Sequence, residues 1–308
     1  MFSSQSNNSV VPIVAHKPIF FNGWSNPVNG ASGCKEFEYC LVSVNRFVGK
    51  YAKKLNFEHK RIMLDSGAFT RVSGFYPQFK GHLPINQYAS IATEMAKKVN
   101  LVAIVTQDYM CEPIVLRERK TTVRNQQIKT IRRYDLLLKE LSSRDNQTYL
   151  LAVLQGYEPK EYIDCMQMYG TRLKSKAWVG VGTICKRNGS PQVILKILQA
   201  IKSKRPDLRL HGFGLKIKSL ALPQIQDLLY SADSAAASLA GGRGTRKYVG
   251  CGGWTTNDPR GAIAYEIKIY QAYLKSCLSR QQRLACCKYL THLQASIERI
   301  SRRKAGNL

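Results

Sequence analysis

The chain has 308 residues, 44% hydrophobic and 22% charged, with no low-complexity tract. That is enough for one large α/β domain, or two modest ones, with a buried core. Its 47 Lys and Arg face only 20 Asp and Glu, a formal net charge of +27, which argues against an enzyme of small neutral substrates and for a polyanion partner.

In chain order, a strand is expected near Tyr39–Val44 and another at Arg61–Leu64, followed by a helical pattern at Asn86–Lys98. A strand at Leu101–Thr106 leads into a long basic helix, Val115–Leu141. A strand at Tyr149–Leu154 precedes a helix at Pro159–Tyr169, and a strand at Trp178–Gly182 precedes one at Pro191–Lys204. The last pair is a strand at Leu208–Phe213 and a helix at Ser219–Leu229, closed by a strand at Leu228–Ala232. The strand-like runs are short, rich in β-branched or aromatic residues, and end in polar residues or Gly. Such alternation implies a mainly parallel sheet, and length and strand count favour a TIM (β/α)8-type barrel over an open one. The barrel with its N-terminal extension is expected over residues 1–260. A basic helical segment over 261–308 packs on it or closes it.

No apolar run reaches transmembrane length. The Ser- and Asn-rich N-terminus resembles no signal peptide. The nine cysteines are scattered and odd in number, so reduced thiols and a cytoplasmic protein are expected. Basic residues recur along the whole chain, from Arg117 and Arg119 through Lys202 and Arg205 to Arg302 and Arg303. That spread suits a track for a nucleic-acid strand better than a detachable arm.

The polar residues able to do chemistry sit at the ends of strand-like runs, where a parallel barrel builds its active site. Asp65-Ser66-Gly67-Ala68-Phe69 offers an accessible carboxylate and a π-face; a helix-capping Asp reads the same letters. In Gln107-Asp108, the carboxylate can accept from N1–H and the exocyclic amine of a guanine edge, or pair with one of many Arg residues. The Gln155 amide can donate to a purine O6, and Gly156 allows close approach. Gly180-Val181-Gly182 offers backbone N–H groups, or simple strand packing. Asp233, in Ser231-Ala232-Asp233-Ser234, has small neighbours that would let it reach a sugar C1′ and form a covalent glycosyl-enzyme; by itself it reads more readily as the cap of an alanine-rich helix. Arg243, Arg246 and Lys247 follow it at a spacing suited to holding phosphates.

In order, DSGAF at Asp65–Phe69, QD at Gln107-Asp108, LQG at Leu154–Gly156, GVG at Gly180–Gly182, HGFG at His211–Gly214 and the Asp of SADS resemble the tRNA-guanine transglycosylase superfamily. The resemblance spans about residues 60 to 250, and its specificity lies in the ordered set. It implies that Asp233 is the nucleophile and that Asp65, with Ser66 beside it, helps bind the base and moves protons. It further implies that Asp108 and Gln155 read the purine edge, assisted by backbone N–H groups near Gly182, and that Phe69 stacks on the base. His211 stands where the superfamily commonly has an apolar side chain lining the base, so a lining and a structural role are both open. The tRNA enzymes carry zinc on three closely spaced Cys and a distant His. Cys251, Cys277, Cys286, Cys287 and His292 do not reproduce that spacing, so no cofactor is expected, a rearranged zinc set being the alternative.

With Ala68 where the tRNA enzymes have Gly, and with its basic charge, the chain is most similar to the branch that places 7-deazaguanines in DNA, found in bacterial modification clusters and phages. The resemblance implies exchange of guanine in DNA for a 7-deazaguanine base, the 7-cyano form foremost, with helper proteins of a modification system as further partners. The alternatives are a tRNA enzyme and a non-catalytic DNA-binding barrel.

Overall fold

The computed structural model describes residues 18–23, 37–48, 60–74, 76, 78–235, 259–276 and 278–305. Eight strands, β1 (Ile19–Gly23), β2 (Tyr39–Ser43), β3 (Arg61–Asp65), β4 (Asn100–Val105), β5 (Tyr149–Leu154), β6 (Trp178–Val181), β7 (Arg209–Gly212) and β8 (Leu229–Ser234), close into a barrel in sequence order. Every neighbouring pair is parallel, and β1 closes on β8 with Phe21 opposite Asp233. The expected TIM-type barrel is therefore the fold.

The strands are apolar throughout because both faces of the wall are covered. In β5, Leu150, Ala152 and Leu154 belong to the outer layer shared with the helices, while Leu151 and Val153 fill the interior. In β3, Ile62 and Leu64 face out and Met63 faces in, beside Phe21, Val105 and Val153. Tyr88, on α2 (Ile85–Ala96; α1 is Ala68–Val72), reaches through the outer layer. Its hydroxyl lies 2.8 Å from the Val105 carbonyl and 3.3 Å from that of Leu64, at the ends of β4 and β3.

Two strands break the regular alternation. Leu101 pairs with Ile62 and Ala103 with Met63, so Val102 is an extra residue in β4. Leu229 pairs with Leu210 and Ser231 with His211, so Tyr230 is an extra residue in β8. Bulges of this kind re-aim the side chains that follow them.

Three element expectations need correction. The strand β1 was not among the expected ones. The single helix at Val115–Leu141 is two, α3 (Pro113–Glu118) and α4 (Val123–Ser142). Lys120 turns the chain between them at φ 45°, and the Thr122 hydroxyl caps α4 by accepting from the Asn125 N–H at 3.2 Å. After α5 (Pro159–Tyr169) and α6 (Pro191–Lys204), the helix expected at Ser219–Leu229 is also two, α7 (Ile217–Leu220) and α8 (Pro223–Leu228). Pro223 suits the first position of a new helix and not the interior of a continuing one.

The C-terminal helices are α9 (Pro259–Leu274) and α10 (Arg280–Ala305). A buried carboxylate joins both to the barrel: Glu266 on α9 accepts from Asn22 of β1 at 3.0 Å and from the Tyr289 hydroxyl of α10 at 2.7 Å. Among the described residues, no helix is long and apolar enough to cross a membrane.

Candidate active site at the barrel mouth

All eight strands run the same way, so their C-terminal ends share one face. Asp65 is the last residue of β3, Asp108 follows β4, Gln155 follows β5 directly, and Gly182 follows β6. His211 lies within β7, and Asp233 lies within β8 instead of after it.

Asp108 and Gln155 form one network. Gln155 Nε2 donates to Asp108 Oδ2, and the Ser66 hydroxyl donates to Asp108 Oδ1 at 3.3 Å. The orientation of the Gln155 amide is fixed from its other end. The Cys111 N–H donates to Thr183 Oγ1 at 3.1 Å, and the Thr183 hydroxyl donates to Gln155 Oε1 at 2.8 Å. That makes the other end of the amide the NH2 group, with one hydrogen on Asp108 and one left over for a further acceptor. His82 Nε2 donates to the backbone carbonyl of Asp108 at 2.9 Å and steadies the loop. Gln107, by contrast, supports structure: its amide donates to the Leu83 carbonyl at 2.9 Å and accepts from Arg133 at 3.0 Å.

The acids influence one another. Burial and then the negative charge of Asp65 raise the Asp108 carboxyl to about 7, against the hydrogen bonds from Gln155 and Ser66. Burial likewise lifts Asp65 to about 6; the Gly67 N–H, donating at 2.9 Å, pulls it down and the charge of Asp233 pushes it up. Carboxyl groups set near neutrality and close enough to feel each other can hold and release protons at the operating pH.

Asp233 is buried, 5% exposed. Its Oδ1 accepts from the Gly214 N–H at 2.9 Å and lies 3.2 Å from His211 Nε2. His211 Nδ1 lies 2.9 Å from the Ser231 hydroxyl, which also accepts from the Trp178 indole N–H at 2.9 Å. Both ring nitrogens of His211 are thus engaged within the barrel, which favours the structural side of its two sequence readings over contact with a base.

Two other residues differ from expectation in detail. The Gly182 N–H is taken by the Leu154 carbonyl at 2.9 Å. Its lack of a side chain makes room instead: a Cβ there would lie 2.3 Å from Gln155 Nε2. Phe69 is 39% exposed, with Lys186 Nζ 4.4 Å from its ring centroid and Tyr76 edge-on at 6.2 Å. Stacking on that face therefore displaces Lys186. Thr183, Ser231, Trp178 and Gly214 escaped the sequence reading as site residues. Ser231 and Gly214 stand within SADS and HGFG, and Trp178 and Thr183 border the GVG strand, but only contacts between strands reveal what they hold.

Arg243, Arg246 and Lys247 lie outside the described residues, as do Cys251 and Cys277. Cys286 is buried with its thiol toward the Tyr270 carbonyl, and Cys287 is exposed. Among the described residues no three His, Cys, Asp or Glu side chains gather as metal ligands do. The zinc of the tRNA enzymes has no matching donor set among the described residues.

A closed parallel barrel with mutually influencing carboxylates and an orientation-locked amide at its C-terminal mouth has the framework of a nucleic-acid guanine transglycosylase, a glycosyltransferase-type enzyme. Residues 37–293 match the family model described as "DpdA: DeoxyPurine in DNA protein A". The chain belongs to that family of DNA-guanine transglycosylases, related to the tRNA-guanine transglycosylases and acting in 7-deazapurine modification of DNA. No curated protein matches it.

Proposed function

We propose that the chain exchanges guanine in DNA for 7-cyano-7-deazaguanine through a covalent intermediate on Asp233. The observation carrying this reading is electrostatic convergence: Asp65 feels the charge of Asp233, and Asp108 feels that of Asp65. That proximity supports reading Asp233 as the nucleophile, Asp65 as the proton carrier and Asp108 as the purine reader.

The target guanine leaves the stack, because its C1′ is out of reach within a duplex. Asp108 accepts from the guanine N1–H and amine while Gln155 donates to O6. Asp233 attacks C1′; the bond from C1′ to N9 breaks, a bond to the carboxylate oxygen forms, and the departing base takes a proton from Asp65. The deaza base then enters, returns a proton from its N9 to Asp65, and attacks C1′, releasing Asp233. One proton leaves and one returns, and two inversions retain the configuration. Arg243, Arg246 and Lys247 supply phosphate contacts in this scheme.

The test is base exchange by purified protein on guanine-containing duplex DNA and, in parallel, tRNA, each with the cyano-deaza base. Digestion to nucleosides and mass spectrometry follow. Modified deoxynucleoside with wild type and none with Asp233→Asn supports the proposal. Modified ribonucleoside alone transfers the activity to tRNA. No product, even with the partner proteins of a modification system, leaves a DNA-binding barrel without catalysis.

A further inference from the structure

We infer that Trp178, Ser231 and His211 form a hydrogen-bond chain that fixes His211 as an Nε2–H donor to Asp233 Oδ1 and so selects Oδ2 as the oxygen that bonds C1′. The inference rests on the reading of Asp233 as the nucleophile.

The chain is read from its far end. An indole N–H can only donate, so Ser231 Oγ, 2.9 Å from Trp178 Nε1, is the acceptor there. Among the described residues, the only other partner of that hydroxyl is His211 Nδ1 at 2.9 Å. A hydrogen on Nδ1 would make the serine oxygen an acceptor twice over and leave its own buried proton without a partner, so the serine proton points to Nδ1, the bare nitrogen, and the ring hydrogen sits on Nε2. Nε2 faces Asp233 Oδ1 at 3.2 Å, and the Gly214 N–H reaches the same oxygen at 2.9 Å. Oδ1 holds both donors, and among the described residues none reaches Oδ2. The other tautomer would aim a lone pair at the carboxylate, a loss of the kind seen when a buried imidazole is held the wrong way round.

The surroundings strengthen the chain. His211 is fully buried, with ring edges or faces of Phe213 at 4.6 Å, Phe21 at 5.9 Å and Trp178 at 6.2 Å between centroids. Hydrogen bonds gain strength in such an apolar cage. Ser231 faces inward, opposite His211, because of the extra residue Tyr230.

His211 acts through Asp233 and is a positioning residue. When Oδ2 is esterified, the charge on the carboxylate is spent; when the incoming base displaces it, the charge returns. Two donors already aimed at Oδ1 favour that second step, the release of the carboxylate as leaving group.

The experiment traps the protein–DNA adduct without incoming base, then adds 7-cyano-7-deazaguanine and follows its decay on denaturing gels. His211→Leu is expected to slow the chase roughly 100-fold, the scale of one lost transition-state donor. His211→Gln, which keeps a donor, recovers to within about tenfold of wild type, and Ser231→Ala slows the chase about tenfold, as expected of an outer-shell partner. In a His211→Gln background Ser231→Ala has no further effect, since an amide needs no tautomer set for it; this non-additivity separates the chain from mere packing. A His211→Leu chase within about threefold of wild type, or a Ser231→Ala effect undiminished in the Gln background, overturns the inference. Should His211→Leu fail to fold, the Ser231→Ala and His211→Gln cycle decides alone. An adduct formed normally by Asp233→Asn overturns the nucleophile instead, a result distinct from either.

Discussion

Gly182 holds its position by what it lacks. A methyl group there would press on Gln155 Nε2 and push the amide off Asp108, while the backbone bond to Leu154 would survive. Gly182→Ala is expected to lower exchange about 100-fold, the effect of roughly an ångström of misplacement, with a melting temperature near that of wild type; an unchanged rate would show that Gln155 does not read the base. Asp108 makes a complementary prediction. It accepts from guanine only when ionised and titrates at about 7, so KM for the incoming base should fall as pH rises from 6 to 8. Asp108→Asn should bind weakly at every pH. A flat wild-type profile would sink this assignment. At this scale the sequence was legible for residues whose chemistry is their own: Asp65, Asp108, Gln155 and Asp233 stand out as polar side chains ending apolar runs. Thr183, Ser231 and Trp178 work only as intermediaries, and the partners that define them lie on other strands.

Between elements, the most consequential tie is Glu266, since it joins β1 to both C-terminal helices. Burial pushes this carboxyl up to about 8, against the hydrogen bonds of Tyr289 and Asn22. A folded pKa above the unfolded one means that the folded protein holds the proton more tightly. The associated stability is complete below about 4.5, the ordinary glutamate value, and is lost as pH rises through about 8. Glu266→Gln, uncharged at every pH, should therefore melt higher than wild type at pH 9 and lose that advantage towards pH 5. Thermal melts across that range check it, and a constant difference would point to packing alone. Element boundaries were legible where one unbroken pattern followed a leading proline, as in α5 and α6. They failed where a single turn intervened, because Lys120 and Pro223 interrupt patterns whose apolar spacing continues through the break. The strand β1, IFFNG, lies ahead of the strand–helix alternation that marks the other strands, with no helical pattern beside it to set it off.

For the molecule as a whole, the net charge of +27 predicts DNA binding governed by counterion release. Raising salt from about 50 to about 200 mM should weaken binding to non-specific duplex roughly 1000-fold, as for a protein making several phosphate contacts. A shallow slope in fluorescence anisotropy would show that the basic residues serve the fold instead, as Arg133 does with Gln107 and Leu83. The charge was legible from composition, and the parallel wall from alternation of elements. What the letters hid was the extra residue in β8. Leu229 and Ala232 both face the helices, although regular alternation puts residues three apart on opposite sides of a wall. Which side a motif faces is thus a matter of parity, and Tyr230 changes it from even to odd. The four letters of Ser231–Ser234 would read the same without that step, yet the strand would offer alanine to the barrel mouth and bury its aspartate among the helices.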